Sequence, residues 1–244
     1  MFFLITGEGN SDVGRETASP GPLICALETL AKTVTEEELI YEIVSRSALA
    51  EIIKQNSKNR KAMLLRGNRR KYSGLVEISR QAAALAGEAQ KIDNAGAVFF
   101  HDCDYTQSQV SDPGDYYEQL VEVVETGFYR ADRYRDGVAM IPRPRSESWF
   151  LCHYQKTQYR NGARFEELPA NDRSPGSGKA LLAEYFSCPV SQIYDHIRGE
   201  EIDWERIDAP SFLFFKKRFQ HVVQRLTHQS PTLPESETLL TSYE

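Results

Sequence analysis

Long hydrophobic runs are missing from this chain. The first apolar stretch, residues 2–5, stops at Thr6-Gly7-Glu8, and no later run approaches the roughly 20 residues that cross a bilayer. The same stretch is too short for the core of a secretion signal, so a cytoplasmic protein without membrane contact is expected. Cysteine is sparse. Cys25, Cys103, Cys152 and Cys188 are scattered with no CxxC pair, which excludes a zinc ribbon and a disulfide framework. Cys152 beside His153 reads as core packing, since free cysteine is among the most buried residue types. Net positive charge is absent too: a formal charge of -6 argues against a general nucleic-acid coat protein.

What is present is enough apolar material for a folded core, at 41% hydrophobic and 11% aromatic over 244 residues. One region runs against the overall charge. Eight basic residues and no acidic one lie between Lys54 and Lys71, namely Lys54, Lys58, Arg60, Lys61, Arg66, Arg69, Arg70 and Lys71. Such a run can contact phosphates, or it can be a solvated helix face or loop.

Residues 2–6 form an apolar, β-prone run closed by Gly7, and residues 7–22 read as a long loop. Apolar residues at helical spacing predict a helix over 23–33, a second strand fits 39–44, and a long helix is expected over 75–95. The short apolar run 97–100 opens directly into His101-Asp102-Cys103-Asp104, followed by a polar loop over 105–114. Further on, a helix is expected over 116–129, a strand over 137–141 closed by Pro142, and a short helix over 146–153 with Ser146 as its N-cap. Alternating helices and fully apolar strands imply an α/β fold whose parallel sheet is covered on both faces. After about residue 155 the pattern changes to a polar connector (160–178) and then to helices over 179–186, 190–197 and 209–226, with a frayed tail from His228.

In an open parallel sheet, functional residues collect where strands end. Two predicted strands here end in acids, giving Glu8 and Asp12 after the first and Asp102 and Asp104 after the third. Residues two apart in an extended segment point the same way, so Asp102 and Asp104 can share one target. Converging carboxylates repel unless a cation sits among them, and oxygen donors of this kind suit Mg²⁺ or Mn²⁺. The alternative for each is plain: a DxD after a strand is common, and Glu8 between glycines can be a turn residue.

These segments resemble the TOPRIM superfamily. Phe3-Leu4-Ile5-Thr6-Gly7-Glu8-Gly9-Asn10-Ser11-Asp12 is similar to its glutamate motif, and Val98-Phe99-Phe100-His101-Asp102-Cys103-Asp104 to its aspartate motif. The segment from Ile141 to Leu151, with Pro142, Glu147 and Trp149, resembles a strand–Pro–Glu-x-Trp element of bacterial TOPRIM-like proteins tied to phage defence, near the overcoming-lysogenization-defect nucleases. The likeness covers residues 1–155 as a TOPRIM/Rossmann-like catalytic domain and leaves 156–244 as a helical appendage. The long loop after Glu8 and the basic segment depart from the minimal pattern. No topoisomerase tyrosine context or primase zinc module accompanies the motifs.

The resemblance implies a Mg²⁺-dependent nuclease. Asp102 and Asp104 would hold the metal, with Glu8 as ligand or general acid/base. Asp12 would stand behind the ligands or bind a second ion, and Glu147 would be a catalytic partner there or simply complement the helix dipole. Arg143 and Arg145, with Arg66, Arg69, Arg70 and Lys71, would contact phosphates, although arginines beside surplus acids also form plain ion pairs. Expected partners are nucleic acid, DNA ahead of RNA, an ATPase encoded nearby, and further copies of the chain. Two other readings stay open: a non-catalytic TOPRIM-like binding module, and a Rossmann-like enzyme acting on small phosphorylated molecules. Ser174-Pro175-Gly176-Ser177-Gly178-Lys179 looks like a Walker A fragment, but Arg173 and Ala180 break the pattern, so it reads as a loop entering a helix. His101 beside Asp102 hints at a proton shuttle, though a histidine at a strand end is commonly a packing residue.

Overall fold

Three of the four short strands are apolar on both sides, and that dictates a sheet covered by helices on each face. In the computed structural model, which describes residues 1–8, 12–14, 20–57, 74–104, 112–154 and 161–227, the four are β1 (Phe2–Thr6), β2 (Ile40–Ile43), β3 (Ala95–Phe100) and β4 (Gly137–Met140). All pair in parallel, in the order β2-β1-β3-β4. The fold is therefore Rossmann-like α/β. The chain leaves β1 to one side and returns to its other side, so the direction of winding reverses between β1 and β3.

Alternation along each strand sorts the core. Phe3, Ile5, Val98, Phe100, Val138 and Met140 face α1 (Pro22–Lys32), α5 (Ser146–Tyr154) and α8 (Pro210–Leu226). Leu4, Ala97, Phe99 and Ala139 face α2 (Arg46–Ser57), α3 (Leu75–Ala89) and α4 (Pro113–Arg130). At Gly96 a Cβ would collide with the ring of Phe3 on the neighbouring strand, so only glycine lets that ring lie flat across β3. Gly127 likewise lets α4 approach to where a Cβ would lie 2.5 Å from the Ser79 carbonyl of α3.

Helix boundaries differ from expectation in three places. Asp112 caps α4 by accepting from the Gly114 and Asp115 amides, and Pro113 occupies its first turn, so that helix starts three residues earlier than its apolar spacing suggests. The helix expected to run to residue 95 stops at Ala89, and Ala95 and Gly96 belong to β3 instead. An additional helix, α2, buries Leu49 and carries little other apolar periodicity to announce it.

The C-terminal helices α6 (Gly178–Phe186), α7 (Ile193–Gly199) and α8 share the core with the sheet. Phe212, Phe215, Phe219, Val222 and Leu226 form a buried stripe on α8, in which Phe219 meets Phe3 of β1 at 5.4 Å and Phe215 stacks on Trp149 of α5 at 5.6 Å. Residues on both sides of position 155 thus belong to one apolar cluster. Among the described residues no helix is long and apolar enough to cross a membrane. Truncating Phe219, which is fully buried, should cost about 3–5 kcal/mol in denaturant unfolding. The loss should fall on a single transition. Two separate transitions, with that of the sheet unchanged, would contradict a shared core.

Candidate functional site

The carboxyl ends of β1, β3 and β4 lie side by side, with Thr6 in register with Phe99 and Phe100 with Met140. Beyond β3 the chain stays beside the exit of β4, because the His101 amide donates to Met140 O and the Cys103 amide to Pro142 O, each at 3.1 Å. Cys103 is buried against the helices and Asp104 is exposed. The acids after β3 therefore open onto the start of α5.

Asp102 is set deep at that junction. Its Oδ1 accepts the Ser146 amide at 3.2 Å and so caps α5 from another strand. Ser146, expected to be the cap, is instead the first helical residue, and its hydroxyl donates to Asp12 Oδ1. Tyr194 of α7 reaches the same place, its hydroxyl 3.1 Å from Asp12 Oδ1 and 2.7 Å from Glu147 Oε1. Glu147 is 2% exposed, its Oε1 lies 3.7 Å from Lys179 Nζ, and its Oε2 is buried without a hydrogen-bond partner.

Electrostatics follow from this crowding. Burial, then the charges of Asp12 and Glu147, push Asp102 well above the ordinary carboxylate range, with Arg145 opposing. Burial and Asp12 raise Glu147 against the pull of Lys179 and the Tyr194 hydrogen bond. Burial and both carboxylates drive the Tyr194 phenol far upward, so it remains a donor.

The other expected residues are placed differently. Glu8 Oε1 lies against His101 Nδ1. Burial disfavours its charge, but the His101 hydrogen bond and the charges of His101, Arg46 and Arg145 outweigh that and hold Glu8 below its usual value. Arg46 is fixed over the Phe99 ring at 4.1 Å and donates to Phe100 O at 2.8 Å. Asp104 is engaged by Arg145 Nη2 at 2.7 Å. Arg143 and Arg145 diverge: Arg145 points among the acids, whereas the guanidinium of Arg143 lies near Gly114 at the start of α4. Arg66, Arg69, Arg70 and Lys71 lie outside the described residues, and Lys54 is paired with Glu51 on the exposed side of α2.

So the structure brings Asp12, Asp102 and Glu147 together around Ser146 and Tyr194, and joins Asp104 to them through Arg145. Glu8 sits in a separate contact with His101 and Arg46. Tyr194, Asp172 and Arg46 carry no motif of their own; Lys179 was visible only within the Walker-like fragment. Ser177 caps α6 through the Ala180 amide at 3.2 Å, and Gly178 is tight against the Glu147 side chain, 2.8 Å from where a Cβ would be. This is how Lys179 is delivered to the acids.

Among the described residues no three His, Cys, Asp or Glu side chains form a ready cation cage. One observation bears on a hard divalent cation: Glu147 Oε2 is a buried carboxylate oxygen with no hydrogen-bond partner, the donor type such an ion takes. Comparison with family models, characterised proteins and solved structures finds nothing that matches this chain. The TOPRIM likeness therefore stands on its motifs.

A carboxyl whose folded pKa is raised stabilises the fold only while protonated, so its contribution is lost as pH rises from the ordinary carboxylate range through the raised value. Asp102→Asn keeps an acceptor for the Ser146 amide and removes the charge. The variant should melt above wild type near pH 8 in metal-free buffer, by about 2–4 °C for each kcal/mol of repulsion relieved. The gap should close towards pH 4, as scanning fluorimetry across pH would show. An unchanged or widening gap on acidification would contradict the crowding.

Proposed function

We propose that the protein is a divalent-cation-dependent phosphodiesterase of TOPRIM type, a nuclease acting in the cytoplasm on DNA in preference to RNA. The observation that carries this reading is the clustering of Asp12, Asp102 and Glu147 at the reversal point of the sheet, with Glu147 Oε2 buried and unpartnered. Ligands of open α/β sheets bind at this position. Phosphate esters, phosphodiesters among them, are the substrate class that uses both a carboxylate-held cation and nearby guanidinium or ammonium groups.

Asp12, Asp102 and Glu147 would hold Mg²⁺ or Mn²⁺, with Asp104 at the rim. When bound, the ion supplies charge neutralisation at the phosphate. The protein groups do the rest. Arg145 is held by the Ala170 carbonyl at 3.0 Å and presents its fork beside the acids, where it can orient phosphate oxygens. Glu8, kept ionised by His101 and Arg46, is available to accept a proton from an attacking water, as a weak base because its pKa is lowered. The basic stretch 54–71 carries the charges that would contact nucleic-acid phosphates. Work in phage defence beside a partner ATPase, and assembly into homo-oligomers, extend the same reading on the strength of the family likeness.

One observation favours the non-catalytic alternative. Asp102 caps α5, and the Asp12 and Glu147 oxygens are served by hydroxyls, so the cluster can also hold loops together without a metal.

Cleavage of plasmid, linear DNA and RNA with Mg²⁺ or Mn²⁺ separates the two. Wild type should cut, Glu8→Gln should lose about 10²–10⁴-fold in rate, and Asp102→Asn and Glu147→Gln should lose Mn²⁺ binding in calorimetry. Absence of cleavage in every metal, alone and with the partner ATPase, would defeat the nuclease reading. Equal Mn²⁺ binding by wild type and Asp102→Asn would defeat the metal site itself.

A further inference from the structure

Asp172 is an acid near the site whose carboxylate is engaged by two cations. Its Oδ2 lies 2.7 Å from Lys179 Nζ and 3.2 Å from Arg145 Nη1, so a single oxygen bridges an ammonium and a guanidinium. The loop that carries it does not depend on that carboxylate. Its turns close through Ser174 N to Asn171 O at 2.9 Å and Ser177 N to Ser174 O at 3.0 Å, and the Ser177 hydroxyl bonds the Asp172 carbonyl at 3.2 Å. Both cations have a second partner: Arg145 is also held by the Ala170 carbonyl and Asp104, and Lys179 Nζ lies 3.7 Å from Glu147 Oε1. Arg145, Asp172, Glu147 and Gly178 also line a small pocket of about 10 Å³, room for about one water. Each partner of the bridge is partly exposed, with side chains 22%, 36% and 22% accessible for Lys179, Asp172 and Arg145.

We propose that Arg145 and Lys179 form a binding site for a phosphate-type oxyanion and that the Asp172 carboxylate occupies it as an internal stand-in. The inference rests on the metal-dependent phosphodiesterase reading for its ligand class, because four carboxylates (Asp102, Asp104, Glu147 and Asp172) surround these two cations and a free anion needs a divalent ion nearby to enter. A phosphate oxygen replaces Asp172 Oδ2 by accepting from the same two donors, and the loop swings its carboxylate into solvent. Substrate entry is thereby coupled to displacement of a side chain of the C-terminal segment. Asp172 sets how readily phosphate competes.

The test is the binding of inorganic phosphate by calorimetry, with and without Mg²⁺, to wild type, Asp172→Ala, Asp172→Asn and Asp172→Ala/Lys179→Met, each checked for an intact fold by circular dichroism. Both single variants should bind phosphate about three- to tenfold more tightly than wild type in Mg²⁺, the size expected from releasing two partly exposed ion pairs. The double variant should lose the gain. Folded single variants with unchanged or weaker phosphate binding, or a gain that survives in the double variant, would overturn the proposal. Failure of the underlying reading looks different. Tighter phosphate binding without any nucleic-acid cleavage keeps the anion site and points to a small phosphorylated substrate, whereas Mg²⁺-dependent cleavage with no gain in the variants removes Asp172 alone.

Discussion

Three carboxylates, Asp12, Asp102 and Glu147, are packed around two hydroxyls at the place where the sheet reverses its winding, and most of what distinguishes this fold is arranged around keeping them there. Buried like charges raise one another's pKa and strain the native state unless something compensates. Here the compensation is distributed: an amide of α5 for Asp102, the Ser146 and Tyr194 hydroxyls for Asp12, Tyr194 and Lys179 for Glu147. Burial first, and the neighbouring carboxylates second, still leave Asp102 and Glu147 shifted upward. A structural role alone would be met more cheaply by neutral side chains, since replacing buried charges with neutral groups is commonly neutral or stabilising.

That arrangement also explains why the C-terminal third of the chain lies against the sheet. Tyr194 and Lys179 arrive on α7 and α6; α6 packs against α5 and α7, and α7 against α1, while the phenylalanine stripe of α8 is buried against Phe3 and Trp149. Trp149 ties the two together from the other side: its indole donates to the Ser211 hydroxyl at 2.8 Å, at the start of α8, three residues after Ser146 at the start of α5. The aromatic packing and the acidic cluster are therefore coupled through one helix.

How much of this was legible in the sequence depended on whether the signal was local. β1 and β3 are continuous apolar runs that end in Gly7-Glu8 and His101-Asp102, so their strand state and the polar residues at their ends can be read without tertiary information. Glu147 was also within reach, because it follows Pro144 at the start of a helix. The pairing of acids was not. Spacing pairs Asp102 with Asp104 and groups both with Glu8, yet the cap contact to Ser146 turns Asp102 towards Asp12 and Glu147, while Arg145 takes Asp104 and His101 takes Glu8. Tyr194 and Asp172 sit in a helix and a turn with no compositional mark, and only three-dimensional packing assigns them to the site. α2 gives no sequence signal of its own because its charged and polar faces hide the one deeply buried residue, Leu49.

Glu8 and His101 show how the site divides its labour. A carboxylate kept ionised by a histidine and an arginine is chemically unlike one pushed upward by burial and by neighbouring acids, and the fold places the two kinds at the ends of adjacent strands. Pairs of acids whose environments drive their pKa values apart are the pattern by which one site supplies both a proton acceptor and a group of different protonation. Arg145 acts on both, pulling Glu8 and Asp102 downward while engaged with Asp104 and Asp172. Its guanidinium is thus the charge through which the ionised acid after β1, the crowded acids at the start of α5 and the C-terminal loop sense one another. Any ligand that draws Arg145 away from Asp172 will shift all three at once.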